Sequence, residues 1–184
     1  MTDIFSTRIL KEEARGKNVI LDAGCGDGVH ALYLARQNPT AQVHGYDVHY
    51  AIIAAANRLK AIHGIGNANF QVSTHDAFVP RQRFDLILTM GSLVGEDELE
   101  GVGDALDETR DLVANRLSKF ASMLSERGRY LFYWRGGKHK NQEFAEIAEA
   151  ARLKHQKTTL DQTGIFYHPR TGEAMYKSLM VFGR

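Results

Sequence analysis

Short apolar runs alternate with helix-period segments along nearly the whole chain, and that alternation constrains the fold more than any other feature. A strand followed by a helix and a further strand closes a βαβ unit, and repeated units build a mainly parallel sheet covered by helices. The run NVILDAG reads as a buried strand, and GVHALYLARQ as a helix closed before Asn38 and Pro39. AQVHGYDV is a second strand ending at Asp47. In the next segment Ile52, Ala55, Leu59 and Ile62 recur at helical spacing, with Gly64 as the stop. NFQVSTHDA is a third strand and RFDLILTMG a fourth, whose unbroken apolar stretch suits the middle of a sheet. Leu106, Val113, Leu117, Phe120 and Leu124 predict one face of a long helix, GRYLFYWR a fifth strand, and Phe144, Ile147, Ala148 and Ala151 another helix. KTTLDQTG and EAMYKSLMVFG are two closing strands joined by a turn at HPRTG. The pattern predicts an α/β chain of seven strands with helices between the first six, folded as a single domain over residues 1–184.

Composition excludes several function classes. The one cysteine, Cys25, rules out an internal disulfide framework and a cysteine-rich metal site. His30, His44, His49, His63, His75 and His155 are scattered without metal-ligand spacing, so no metal is predicted. The opening MTDIFSTRILKEEARGKN is polar, and no apolar run approaches the roughly 20 residues of a membrane span. A cytoplasmic protein without a membrane partner is expected. The net charge of +1 hides an asymmetry: residues 91–111 carry one basic and eight acidic side chains, and residues 112–184 carry thirteen and six. A uniformly basic nucleic-acid-binding face is not indicated.

The chemistry concentrates after the first strand, in Asp22-Ala23-Gly24-Cys25-Gly26-Asp27-Gly28. Glycines allow a sharp turn and the close approach of a ligand. The turn opens a helix, whose first N–H groups attract a carboxylate or phosphate. Dinucleotide binders use G-x-G-x-x-G, and the third glycine of that spacing would fall at Val29. That disfavours a nicotinamide-dependent oxidoreductase. Asp47, ending the second strand, is placed to accept both ribose hydroxyls of an adenosine. Asp76, just past the third, is placed to accept from an adenine amine, with Ala77 beside it. Asp47 and Asp76 also have a plain reading as capping residues, and Cys25 as a small packed side chain. All the strand ends named lie on the carboxyl edge of the sheet, where open α/β folds bind ligands.

Taken together, VILDAGCGDGVHALYLA, HGYDV, STHDAF and RFDLILTMGSL resemble the class I S-adenosylmethionine-dependent methyltransferase family over about Asn18 to Arg135. The resemblance implies a Rossmann-like seven-stranded, mainly parallel sheet with helices on both faces and an antiparallel C-terminal strand. It implies S-adenosyl-L-methionine as cofactor. The methionine part would lie against Asp22, Gly24, Gly26 and Gly28, with Ala23 and Cys25 in the same loop. The ribose would lie on Asp47, the adenine against Val48, Asp76 and Ala77, and the sulfonium beside Met90 and Gly91. The chain departs from the family in two ways. Only a short segment precedes the first strand, and TMGSL stands where amino-methylating nucleic-acid enzymes carry Asn/Asp-Pro-Pro-aromatic. A small-molecule acceptor is therefore expected first. An RNA or protein acceptor, using the basic C-terminal third, is the alternative, and a non-catalytic cofactor-binding module is another. Ser92, Glu96, Arg135 and His139 are all open as general bases. The acidic block with Glu96, Asp97, Glu98, Glu100 and Asp104 could steer a cationic acceptor. Either Tyr133 or Trp134 should face the core by strand alternation.

Overall fold

A computed structural model describes residues 4–93, 105–136, 138–167 and 174–184, with side chains described at 7–93, 110–133, 141–159 and 178–184. The elements run α1 (Ile4–Ala14), β1 (Val19–Ala23), α2 (Val29–Gln37), β2 (Gln42–Asp47), α3 (Tyr50–Ile62), β3 (Ala68–Val72), β4 (Phe84–Met90), α4 (Ala105–Met123), β5 (Leu124–Gly136), α5 (Lys138–Ala150), β6 (Lys154–Tyr167) and β7 (Ala174–Gly183). The seven strands form one sheet in the order β3-β2-β1-β4-β5-β7-β6. Strands β1 to β5 pair in parallel. Only β7 runs against its neighbours, β5 on one side and β6 on the other.

Side chains alternate across the sheet, and both faces are apolar. On one face Leu21, Ile87, Tyr130, Phe132, Met180 and Phe182 pack with Val113, Leu117 and Phe120 of α4 and with Phe144, Ile147 and Ala148 of α5. On the other, Ile20, Val43, Leu86, Leu88, Leu131, Leu179 and Val181 pack with Ile9 and Leu10 of α1 and with Ala31, Leu32 and Leu34 of α2. The continuous apolar runs of β1 and β4 follow from this double coverage. Tyr133 is half-buried against the second cluster, and the Trp134 side chain lies outside those described.

Three expectations need correction. No helix links β3 to β4: residues 73–83 form a turn and loop, and β3 ends at Val72 rather than running to Ala77. Thr74 stops it locally, because its hydroxyl accepts the Ala77 N–H and its carbonyl the Phe78 N–H. Leu124 is not the last residue of the helical stripe but the first of β5, where it pairs with Phe84. The short segment before β1 carries one helix, α1, whose buried residues among those described are Ile9, Leu10 and Ala14. The strands β6 and β7 lie where expected, and the turn joining them falls outside the described residues.

Candidate functional site

Because β1 to β4 are parallel and adjacent, their carboxyl ends line one rim. Read along the sheet, the rim runs from Asp76 after β3, through Asp47 on β2 and the glycine turn after β1, to Met90 and Gly91 at β4.

The turn after β1 is held by backbone bonds. The N–H groups of Gly24 and Cys25 both donate to the Tyr46 carbonyl on β2, at 2.9 and 2.8 Å. Gly24 has φ +73°, and a Cβ there would lie 2.3 Å from the Cβ of Ser92. Gly28 has φ +78° and caps α2, with a would-be Cβ 2.8 Å from the Phe70 ring. Neither position admits a side chain, so the turn requires glycine for conformation and for space. Cys25 is buried and packs over Gly45, and burial pushes its thiol well above the ordinary value. That suits a packing role.

Two carboxylates flank this turn in different states. Asp47 Oδ2 accepts the Gly26 N–H at 3.0 Å, and Oδ1 accepts the His49 N–H at 3.1 Å, at the start of α3. It therefore closes a local turn before α3 and ties the glycine turn to β2. A carboxylate has about four acceptor sites, so two remain for a ligand. Val48 beside it is exposed. Asp22 is only 1% exposed, and its oxygens meet no donor in good hydrogen-bond geometry, the Ala31 backbone N–H being the one that pulls on them weakly. Burial is the largest influence on it. Against a smaller opposing pull from the Ala31 backbone N–H, and with help from Asp47 and Asp27, it raises the Asp22 pKa from 3.8 to about 7. Such a group takes up a proton or a cation.

Asp76 is exposed, as is Ala77. The Asp76 carboxylate lies 3.8 Å from the Arg116 guanidinium, and its carbonyl accepts from Lys119 Nζ at 2.6 Å. At the other end of the rim, Met90 is half-buried, and Gly91, with φ +77°, donates its N–H to the Tyr133 carbonyl.

The four candidate bases fare differently. Ser92 donates its hydroxyl to the Ala23 carbonyl at 2.5 Å, so it ties β4 to β1 and its proton is committed to that bond. Glu96 and the rest of the acidic block, and the side chains of Arg135 and His139, lie outside the described residues.

Sequence reasoning missed the side chains that lock the strand ends together. His75 Nε2 meets the Ser92 carbonyl at 2.5 Å, which requires a proton on that nitrogen, and Nδ1 shares a hydrogen bond with the Tyr46 hydroxyl at 2.8 Å. The ends of β2 and β4 are thus joined through the turn after β3. Arg116, 8% exposed at its side chain, donates to the Leu93 carbonyl at 2.7 Å. The one available signal was its place beside the apolar stripe of Val113, Leu117 and Phe120, where a cation needs partners.

Known proteins agree with this architecture. The model of a methyltransferase domain family matches residues 15–176. Ribosomal RNA large subunit methyltransferase G of Erwinia tasmaniensis is 36% identical over 72 residues, which are 38% of this chain and 19% of that protein. The release factor glutamine methyltransferase of Geobacter sulfurreducens is 34% identical over 100 residues, 52% of this chain and 35% of that protein. The chain thus spans between about a fifth and a third of these two relatives. Magnesium protoporphyrin IX methyltransferase from Synechocystis PCC 6803, solved with bound S-adenosylmethionine, superposes with a TM-score of 0.69 at 19% identity, over 98% of this chain and 76% of that one. With a family model covering most of its length and the matching sheet beneath it, this chain belongs to the class I S-adenosylmethionine-dependent methyltransferases.

Proposed function

We propose that the chain transfers a methyl group from S-adenosylmethionine to a small-molecule acceptor at the rim between Asp22 and Gly91. The observation that carries the reading is Asp22, a buried carboxylate that meets no donor in good hydrogen-bond geometry, beside a turn in which Gly24 and Gly28 leave no room for a side chain. An ammonium group satisfies it, and S-adenosylmethionine has one on its amino-acid end. Asp47 has acceptor sites left for ribose hydroxyls, Val48 offers an apolar surface for adenine, and Asp76 offers an acceptor for its amine. When bound, S-adenosylmethionine supplies an electrophilic methyl group on its sulfonium. The chain's task is then to hold an acceptor in line beside Met90 and Gly91, and such positioning accounts for a large part of the acceleration in reactions of this type.

The small-molecule reading rests on TMGSL at the β4 exit, which lacks the residues that grip a base amine. An RNA or protein acceptor is the second reading. It draws on the named activities of the ribosomal RNA and release factor relatives, whose aligned stretches cover 38% and 52% of this chain. Transfer of labelled methyl from S-adenosylmethionine to panels of small amines, hydroxyls and thiols, to ribosomal RNA and to proteins separates the two. Turnover confined to small molecules is the expected result. Labelling of RNA alone, falling steeply with salt, would replace the first reading with the second.

A further inference from the structure

The exposure of Asp76 raises a question about any role in recognition. A solvated carboxylate on a turn is free to rotate, and a rotating acceptor discriminates poorly between bases. Two residues of α4 remove that freedom. Lys119 Nζ donates to the Asp76 carbonyl at 2.6 Å, and Arg116 Nη2 lies 3.8 Å from Oδ2. They stand at i and i+3, on one face of the helix. The Arg116 guanidinium is itself fixed, since Nη1 donates to the Leu93 carbonyl at 2.7 Å and the side chain is 8% exposed. The Thr74 hydroxyl, accepting the Ala77 N–H at 3.0 Å, braces the same turn from within. Oδ2 of Asp76 is thereby held on the side of α4.

We propose that Arg116 and Lys119 are positioning residues for base selectivity: they orient Asp76 so that it accepts from an exocyclic amine and rejects a carbonyl in the same place. The inference rests on the reading of Asp76 as the adenine acceptor. Arg116 also couples the two ends of the rim, because the same guanidinium holds Leu93 just beyond β4.

Two ligands test this by calorimetry: S-adenosylhomocysteine, and S-inosylhomocysteine, in which a carbonyl oxygen replaces the amine. The wild-type chain should prefer the adenosine form by about tenfold or more, the effect of one good hydrogen bond to a charged group. Asp76→Asn should bring the ratio close to one, because an amide can turn to donate to the carbonyl. Arg116→Met should lower the ratio to about threefold or less, and Lys119→Met should fall between. Arg116→Met added to Asp76→Asn should change the ratio no further. A merely structural loss would weaken both ligands alike and leave the ratio intact. A wild-type ratio in Arg116→Met and Lys119→Met, with a collapsed ratio in Asp76→Asn, overturns the positioning role and leaves the Asp76 reading standing. An unchanged ratio in Asp76→Asn removes both. If Arg116→Met does not fold, Lys119→Met decides, since Lys119 lies at the surface end of the contact.

Discussion

Asp22 and Asp47 sit on neighbouring strands, yet their surroundings differ. Asp47 accepts two backbone N–H groups, whereas Asp22 is pushed toward neutrality by burial. The consequence for Asp22 has a definite sign. Its pKa is about 7 in the folded chain against an ordinary 3.8. Between those values the folded chain keeps a proton that the unfolded chain has lost. Its contribution to stability is full below pH 3.8 and is lost as pH rises through about 7. Asp22→Asn should flatten this decline in the ligand-free protein, measured by guanidinium unfolding near pH 5 and pH 8. An equal decline in both proteins would exclude Asp22 as its source. An ammonium ligand selects the ionised form, so the affinity for S-adenosylhomocysteine should rise from about pH 6 to about pH 8, with proton release that Asp22→Asn abolishes. At Asp47, alanine removes ligand acceptors and the tie to Gly26 together. Asp47→Ala should weaken S-adenosylhomocysteine about tenfold to hundredfold in calorimetry, and an unchanged affinity would withdraw the ribose assignment.

At the scale of elements, the exit of β4 is the junction. Ser92 bonds back to β1 through its hydroxyl and to the turn after β3 through its carbonyl, and the Leu93 carbonyl is held from α4. If Ser92 were a general base, its removal would cost about 10²- to 10⁴-fold in kcat. As a strand tie, Ser92→Ala should cost about 1 kcal/mol of stability with kcat reduced by less than about tenfold. Steady-state kinetics beside thermal unfolding read the two quantities separately, and a loss of a hundredfold or more in kcat without a stability change would restore the catalytic role. Such ties were not legible in the sequence, because they join residues 17 and 69 positions apart and leave no periodic trace. What was legible is local. The glycine turn after β1, Asp47 at the end of β2 and the apolar run of β4 are each written in consecutive residues. The switch from α4 to β5 was misplaced because Leu124 fits both the helical stripe and the strand that follows without a loop. The turn after β3 was read partly as strand because its stop is a side-chain bond from Thr74, a residue that strands also favour.

For the whole molecule, the rim is fixed by a sheet with both faces buried, while the ligand contacts sit on turns at its edge. Such a framework leaves binding and folding linked: a ligand that holds the turns after β1, β2 and β3 adds ties between segments that otherwise meet through a few backbone bonds and side chains. Among the described residues no helix is long and apolar enough to cross a membrane. Thermal unfolding with and without ligand reads this linkage. A ligand that binds only the folded state at one hundred times its Kd adds about 2.7 kcal/mol. In a chain of 184 residues that corresponds to a rise in Tm of roughly 5–10 °C. S-adenosylhomocysteine should produce a rise of this size. NAD, which needs the glycine spacing that Val29 interrupts, should produce none. Asp47→Ala should lose about half or more of the shift at a fixed ligand concentration while its ligand-free Tm falls by only a few degrees, about what one or two hydrogen bonds contribute. If NAD shifts the transition and S-adenosylhomocysteine does not, the rim has another ligand, and the arrangement of Asp22, Asp47 and Asp76 must be explained by that ligand instead.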